Sequence, residues 1–211
     1  DVSGTNFIGG YAGYVGQSAV YNTSSAQAAS TTAKVSNINS VNANAAPSTG
    51  YLGGLAGWAD GVAATNLTSN MPVSGTSKAG GLFGYYNSAY APNNANVTNH
   101  LGTQLTASGT VSGTSYVGGL IGQYSFYLVG GLTTEVTNLS YSSATGAVTG
   151  SSTYVGGLIG AANGWTFDNV WASGAVTQTA SNNVGGLIGS LGPYYNAWTG
   201  VYYGSKLTNS R

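Results

Sequence analysis

The chain has 211 residues, of which only 4 % are charged: four acids, four bases and a single histidine, giving a formal net charge of zero, with no cysteine. An ordinary soluble domain carries about 25 % charged residues, and without a cluster of Lys and Arg neither nucleic-acid phosphates nor an anionic membrane surface finds a partner. The missing cysteines remove disulfides, thiolate metal ligands and thiol catalysis, while 42 % apolar residues and 16 tyrosines offer far more to bury than a disordered segment has.

The first organised stretch, FIGGYAG at 7–13, reads aromatic or polar, apolar, Gly, Gly, apolar, apolar, Gly. A tract rich in Ser, Ala and Asn follows at 18–49. Its best helical window, 24–34, lacks large apolar residues and reads as an expanded loop. The heptad then returns as YLGGLAG at 51–57, KAGGLFG at 78–84, YVGGLIG at 116–122 and again at 154–160, and VGGLIG at 184–189. First glycines fall at Gly9, Gly53, Gly80, Gly118, Gly156 and Gly185, at intervals of 44, 27, 38, 38 and 29 residues. Intervals of about 20–50 residues mark a repeat architecture, with unequal loops taking up the difference.

A second block precedes most copies: MPVSG at 71–75, SGTVSG at 108–113, TGAVTG at 145–150 and SGAVT at 173–177. Two short extended segments joined by a tight turn are therefore the constant part of the unit. The variable part after each heptad is rich in Val, Tyr, Trp, Phe and Thr and favours strands. No apolar run approaches the roughly 18 residues of a membrane-spanning helix.

One such unit cannot bury its apolar side, but stacked units share a continuous interior. Glycine weakens a strand unless the backbone bends sharply or another backbone comes close. The pairs Gly53–Gly54, Gly80–Gly81, Gly118–Gly119, Gly156–Gly157 and Gly185–Gly186 thus predict a corner where a flat coil closes on itself. Leu120, Ile121, Leu158, Ile159, Leu187 and Ile188 supply its core layers. The expected fold is all-β: a β-solenoid or parallel β-helix of about six irregular Gly-rich repeats, forming one elongated domain over 1–211.

Chemistry is sparse. The acids Asp1, Asp60, Glu135 and Asp168 are scattered, and hydrolysis asks for a positioned pair or a nucleophile with its base. Stacking brings Glu135 and Asp168 into comparable post-heptad segments, yet surface or turn carboxylates are the simpler reading. His100 has no partner at a familiar spacing, and one imidazole without cysteine does not make a transition-metal site. Calcium has only Asp168 or Asp60 to build on. No catalytic residue, metal or cofactor is expected. Asn22, Asn66, Asn96 and Asn138 open Asn-x-Ser/Thr sequons, candidate glycosylation sites. The tyrosine pairs Tyr85–Tyr86, Tyr194–Tyr195 and Tyr202–Tyr203 either fill the solenoid or form an apolar, hydrogen-bonding face suited to an interface.

The stretches SSATGAVTGSSTYVGGLIG at 142–160 and WASGAVTQTASNNVGGLIG at 171–189 resemble the GLUG repeat of large bacterial surface adhesins of the filamentous-haemagglutinin type, also present in non-catalytic parts of some secreted proteases. The likeness covers nearly the whole chain, strongly at 105–189 and weakly before Gly53. It implies a β-solenoid at a cell surface or in a secreted protein, and no catalytic residues.

The expected function is a non-catalytic extracellular structural or adhesive protein: a surface adhesin module, or a self-assembling fibre subunit joined through solenoid ends and Tyr-rich faces. Its partners are then copies of itself or other surface proteins. Uncapped end coils template further pairing, and a net charge near zero permits tight packing. The alternative is a glycan-binding module working through Trp165, Trp171 and Trp198 with Asn side chains. Ice binding has only Thr177 and Thr179 to support it, and an enzyme on this scaffold lacks acids and bases.

Overall fold

The computed structural model describes residues 6–16, 19–20, 50–60, 63–90, 102–128, 137–164, 166–180, 183–196 and 200–211, and these contain strands, bends and turns but no helix. The strands run in coils. The first coil holds β1 (Phe7–Gly9), β2 (Ala12–Gly16) and β3 (Ala19–Val20), and the second holds β4 (Tyr51–Gly53), β5 (Ala56–Asp60), β6 (Ala63–Ser69) and β7 (Val73–Ser74). The third has β8 (Lys78–Gly80), β9 (Phe83–Tyr90), β10 (Gly102–Ala107) and β11 (Val111–Gly113). The fourth has β12 (Val117–Gly118), β13 (Ile121–Leu128), β14 (Thr137–Ala144) and β15 (Val148–Gly150). The fifth has β16 (Val155–Gly156), β17 (Ile159–Asn163), β18 (Thr166–Ala172) and β19 (Val176–Gln178). The last coil has β20 (Val184–Gly185), β21 (Ile188–Gly192), a hairpin of β22 (Tyr194–Asn196) and β23 (Val201–Tyr203), and β24 (Lys206–Thr208).

Strands at the same place in successive coils pair in parallel and build four walls. The first is β1-β4-β8-β12-β16-β20, the second β2-β5-β9-β13-β17-β21, the third β3-β6-β10-β14-β18-β24 and the fourth β7-β11-β15-β19. This is the expected β-solenoid of six Gly-rich coils. The repeat register is as read from the heptads: Gly9, Gly53, Gly80, Gly118, Gly156 and Gly185 form one cross-coil column. Residues 91–101, between β9 and β10, and 129–136, between β13 and β14, lie outside the described residues. The predicted loop at 18–49 begins later than expected, because Ala19–Val20 pairs with Ala63–Ala64 in the third wall; 21–49 lies outside the described residues.

Each heptad folds across the corner between the first and second walls, and its three glycines have separate reasons. A Cβ on a first glycine would collide with the carbonyl oxygen three residues on, that of Ile121 for Gly118 and of Ile159 for Gly156. A Cβ on a second glycine would collide with the matching glycine of the next coil, Gly157 for Gly119, and meet the third wall at the Ala144 Cβ, 2.8 Å away. The third glycine faces the preceding coil: at Gly122 a Cβ would lie 2.6 Å from the Gly84 carbonyl oxygen. The expected close approach is therefore real, and it involves the coil's own turn, its neighbours and its opposite wall together.

The interior has two lobes. Between the first and fourth walls, Leu52, Ala79, Val117 and Val155 face Val73, Val111 and Val148. The larger lobe stacks Leu55, Leu82, Leu120 and Leu158 at the corner, with Phe83, Ile121 and Ile159 facing Leu67, Leu105, Leu139 and Phe167. In the third wall, Asn66, Gln104, Tyr141, Asn169 and Asn209 all have positive φ, between 47 and 56°. Strand register places them in one column. Left-handed residues are uncommon outside glycine, with Asn enriched, and here they recur at the same point from the second coil to the last.

Candidate functional site

Among the described residues no three or more His, Cys, Asp or Glu side chains gather to hold a metal ion. Asp1, His100, Glu135, Trp165 and Trp198 lie outside the described residues, as do the sequons at Asn22 and Asn96. Asn66 is exposed, and Asn138 sits in β14. The two described acids are engaged by hydrogen bonds. Asp168 accepts from Thr208 Oγ1 at 2.7 Å and Asn209 Nδ2 at 2.9 Å on one oxygen, and from Asn169 Nδ2 at 2.8 Å on the other. These donors, Thr208 foremost, hold its carboxyl below the usual Asp value. Asp60 accepts from Asn87 Nδ2 at 2.7 Å, and the Tyr14 hydroxyl reaches its other oxygen at 3.5 Å.

The tyrosine pairs separate. Adjacent strand residues point to opposite sides, so Tyr86 is fully buried, stacked on Phe83 with centroids 4.9 Å apart and edge-on to Tyr124 at 5.5 Å. As a member of an exposed face it is corrected to a core residue. Tyr85 points outward into an aromatic cluster on the corner. There the first heptad position of the early coils (Phe7, Tyr51, Lys78, Tyr116) stands beside Tyr14, Trp58 and Tyr85 of the second wall. Phe7 contacts Tyr51 at 5.2 Å and Trp58 at 5.1 Å, and Trp58 contacts Tyr85 at 5.8 Å. The Lys78 ammonium lies 4.0 Å from the Tyr51 ring centroid and 4.5 Å from that of Tyr85, a cation–π cage. The column continues to the Tyr116–Tyr154 pair at 4.9 Å.

At the other end, the hairpin pairs Tyr194 with Tyr203 and Tyr195 with Tyr202. Tyr195 and Tyr202 touch at 4.8 Å and are exposed, whereas Tyr203 packs on the core. Of the exposed large apolar side chains among the described residues, Phe7, Tyr11 and Tyr14 lie in the first coil, and Val184, Leu191, Tyr195, Val201, Tyr202 and Leu207 in the last. Only Tyr141 and Trp171 lie between them.

At the heptad corner, unlike the other turns of the coil, the two ends present opposite backbone groups. At each corner the N–H groups of one coil donate to the next: Leu120 and Ile121 to Leu158 O, and Leu158 and Ile159 to Leu187 O. In the last coil the donors in the same position belong to Leu187 and Ile188, and β20 and β21 are the edge strands of their walls among the described residues. In the first coil Tyr11 and Ala12 donate to Leu55 O, which leaves the Tyr11 carbonyl as the corresponding acceptor. Gly186 completes the pattern, since a Cβ there meets nothing within 4 Å, unlike the second glycine of every earlier coil.

Sequence reasoning missed this corner polarity, which appears only once the coils are in register. It also missed the corner cluster around Trp58 and the left-handed column of the third wall. No protein-family model, no curated protein and no solved structure matches this chain.

Proposed function

We propose that this chain is a non-catalytic structural or adhesive module of an extracellular surface, a fibre subunit whose last coil receives the first coil of another copy. The observation that carries the reading is Gly186. Five second glycines, Gly10, Gly54, Gly81, Gly119 and Gly157, leave room for the backbone of a following coil, and Gly186 keeps the same vacancy above an exposed apolar rim of Val184, Leu191 and Leu207.

A second copy suits that place. Its FIGGYAG corner carries the Gly-Gly pair that the vacancy fits, and its Tyr11 carbonyl faces the direction from which the Leu187 and Ile188 N–H groups need an acceptor. Joining a head to a tail is a heterologous contact that does not close, and it propagates as a filament. Parallel pairing on an open edge is the ordinary consequence of unpaired strand groups, and an almost uncharged surface lets filaments pack side by side. The GLUG-type resemblance points to the same extracellular, adhesive setting.

A concentration series by sedimentation velocity, without added ligand, tests the proposal. Growing, sedimentable polymers are expected. A monodisperse monomer at every concentration refutes self-assembly and leaves a module that acts alone.

A further inference from the structure

Tyr141 and Trp171 are the two exposed large apolar side chains, among the described residues, that end-to-end stacking leaves unexplained. Both stand on the outer face of the third wall. One column there is the left-handed series Asn66, Gln104, Tyr141, Asn169 and Asn209. Two residues further along each strand runs a second column, Thr68, Thr106, Ser143 and Trp171. Arg211 extends it, because its backbone brackets Trp171: its N–H donates to Val170 O at 3.1 Å and its carbonyl accepts from Ala172 N–H at 3.0 Å. The residues between the columns, Leu67, Leu105, Ser142 and Val170, are buried. Where the two columns cross the last three coils, Tyr141, Asn169, Trp171, Asn209 and Arg211 line an open furrow of about 370 Å³.

The polar groups of this cleft are held in place. Asp168 accepts one Nδ2 hydrogen from each of Asn169 and Asn209, which fixes both amides and leaves each with an acceptor oxygen and a second N–H. Among the described residues no ion pair or hydrogen bond occupies the Arg211 guanidinium. Two aromatic rings, two fixed amides and one guanidinium in an open furrow match a sugar chain. The C–H faces of sugar rings lie on aromatic surfaces, amides answer hydroxyls, which both donate and accept, and a guanidinium grips a carboxylate through two parallel hydrogen bonds.

We infer that the furrow at Tyr141, Trp171 and Arg211 binds a carboxylate-bearing glycan, lying along the coil axis. The inference does not rest on self-assembly, but Asn209 and Arg211 belong to the last coil, so the cleft borders the end that a stacked copy would cover.

Isothermal titration of the full chain with oligogalacturonate and with neutral cello-oligosaccharides of equal length tests it. The uronate series is expected to bind more tightly, Trp171→Ala and Tyr141→Asn to weaken that binding about tenfold each, and Arg211→Gln to erase the preference for uronate. Asn suits the left-handed position, and unchanged thermal unfolding of all three variants shows that the fold is kept. Absence of saturable binding, neutral sugars binding as well as uronates, or full binding by Trp171→Ala overturns the inference.

Discussion

Alanine at Gly119 and at Gly186 is one chemical change made at equivalent places in the coil, yet opposite outcomes are expected. At Gly119 the added methyl falls well inside 3.0 Å of the Gly157 carbonyl oxygen, closer than real Cβ atoms come, and 2.8 Å from the Ala144 Cβ. Both obstacles belong to packed walls: one is backbone, and the other is a Cβ fixed to it. The fourth and fifth coils must separate locally, straining the bonds from Leu120 and Ile121 N–H to Leu158 O, now 2.9 and 3.1 Å. Overpacking costs about 1–3 kcal/mol and a buried donor left unpaired about 1–3 kcal/mol more, so Gly119→Ala is expected to lose about 2–6 kcal/mol.

At Gly186 nothing lies within 4 Å of the added methyl. The isolated subunit is expected to keep its stability or gain about 0.4–1 kcal/mol from a stiffer unfolded chain. A stacked second copy would meet that methyl with its own corner, so sedimentation of Gly186→Ala is expected to show monomer where the parent polymerises. Chemical denaturation of both variants, with sedimentation of the folded fraction, reads the two effects separately. A Gly186→Ala protein that polymerises like the parent, or a Gly119→Ala protein of unchanged stability, refutes the reasoning about second glycines.

Two pH effects follow from the titratable groups. Burial, and then the neighbouring Tyr124, push the Tyr86 hydroxyl well above its ordinary value. The folded state holds that proton more tightly, so stability is intact below the unfolded tyrosine value of about 10 and falls as pH rises past it; Tyr86→Phe is expected to resist alkaline unfolding followed by circular dichroism. Asp168 is shifted the other way, chiefly by Thr208. Its contribution is full above the unfolded Asp value near 4 and is lost as pH falls through the lower folded value. Amide exchange in β24 is therefore expected to quicken in that acid window, and Asp168→Asn to abolish the pH dependence.

The coil was legible because its repeated residues meet the same obstacle in every turn. Any side chain at Gly80, Gly118 or Gly156 strikes the corner carbonyl, so the heptad survives where neighbouring segments drift. The second repeated block recurs because its Val73, Val111 and Val148 stack in the smaller lobe, although which of its residues turn inward was not read from the sequence. The third-wall furrow was hidden because its columns are defined by backbone angle and register, while their side chains differ: Asn, Gln and Tyr share one φ and no chemistry. Insertions over 91–101 and 129–136 further obscure which residues stack. Tyr86 was misread although strand alternation already assigns adjacent tyrosines to opposite sides, and register with Tyr124 shows which one turns inward.

The most direct measurement is cryo-electron microscopy of the assembled protein with helical averaging. Parallel strands stack about 4.8 Å apart, so six coils per subunit give an axial subunit repeat of about 29 Å. Filaments with that repeat, and with density running from the Leu187 corner of one copy into the Tyr11 corner of the next, are what end-to-end stacking requires. Filaments joined only through their sides, with the Gly186 end open to solvent, contradict it.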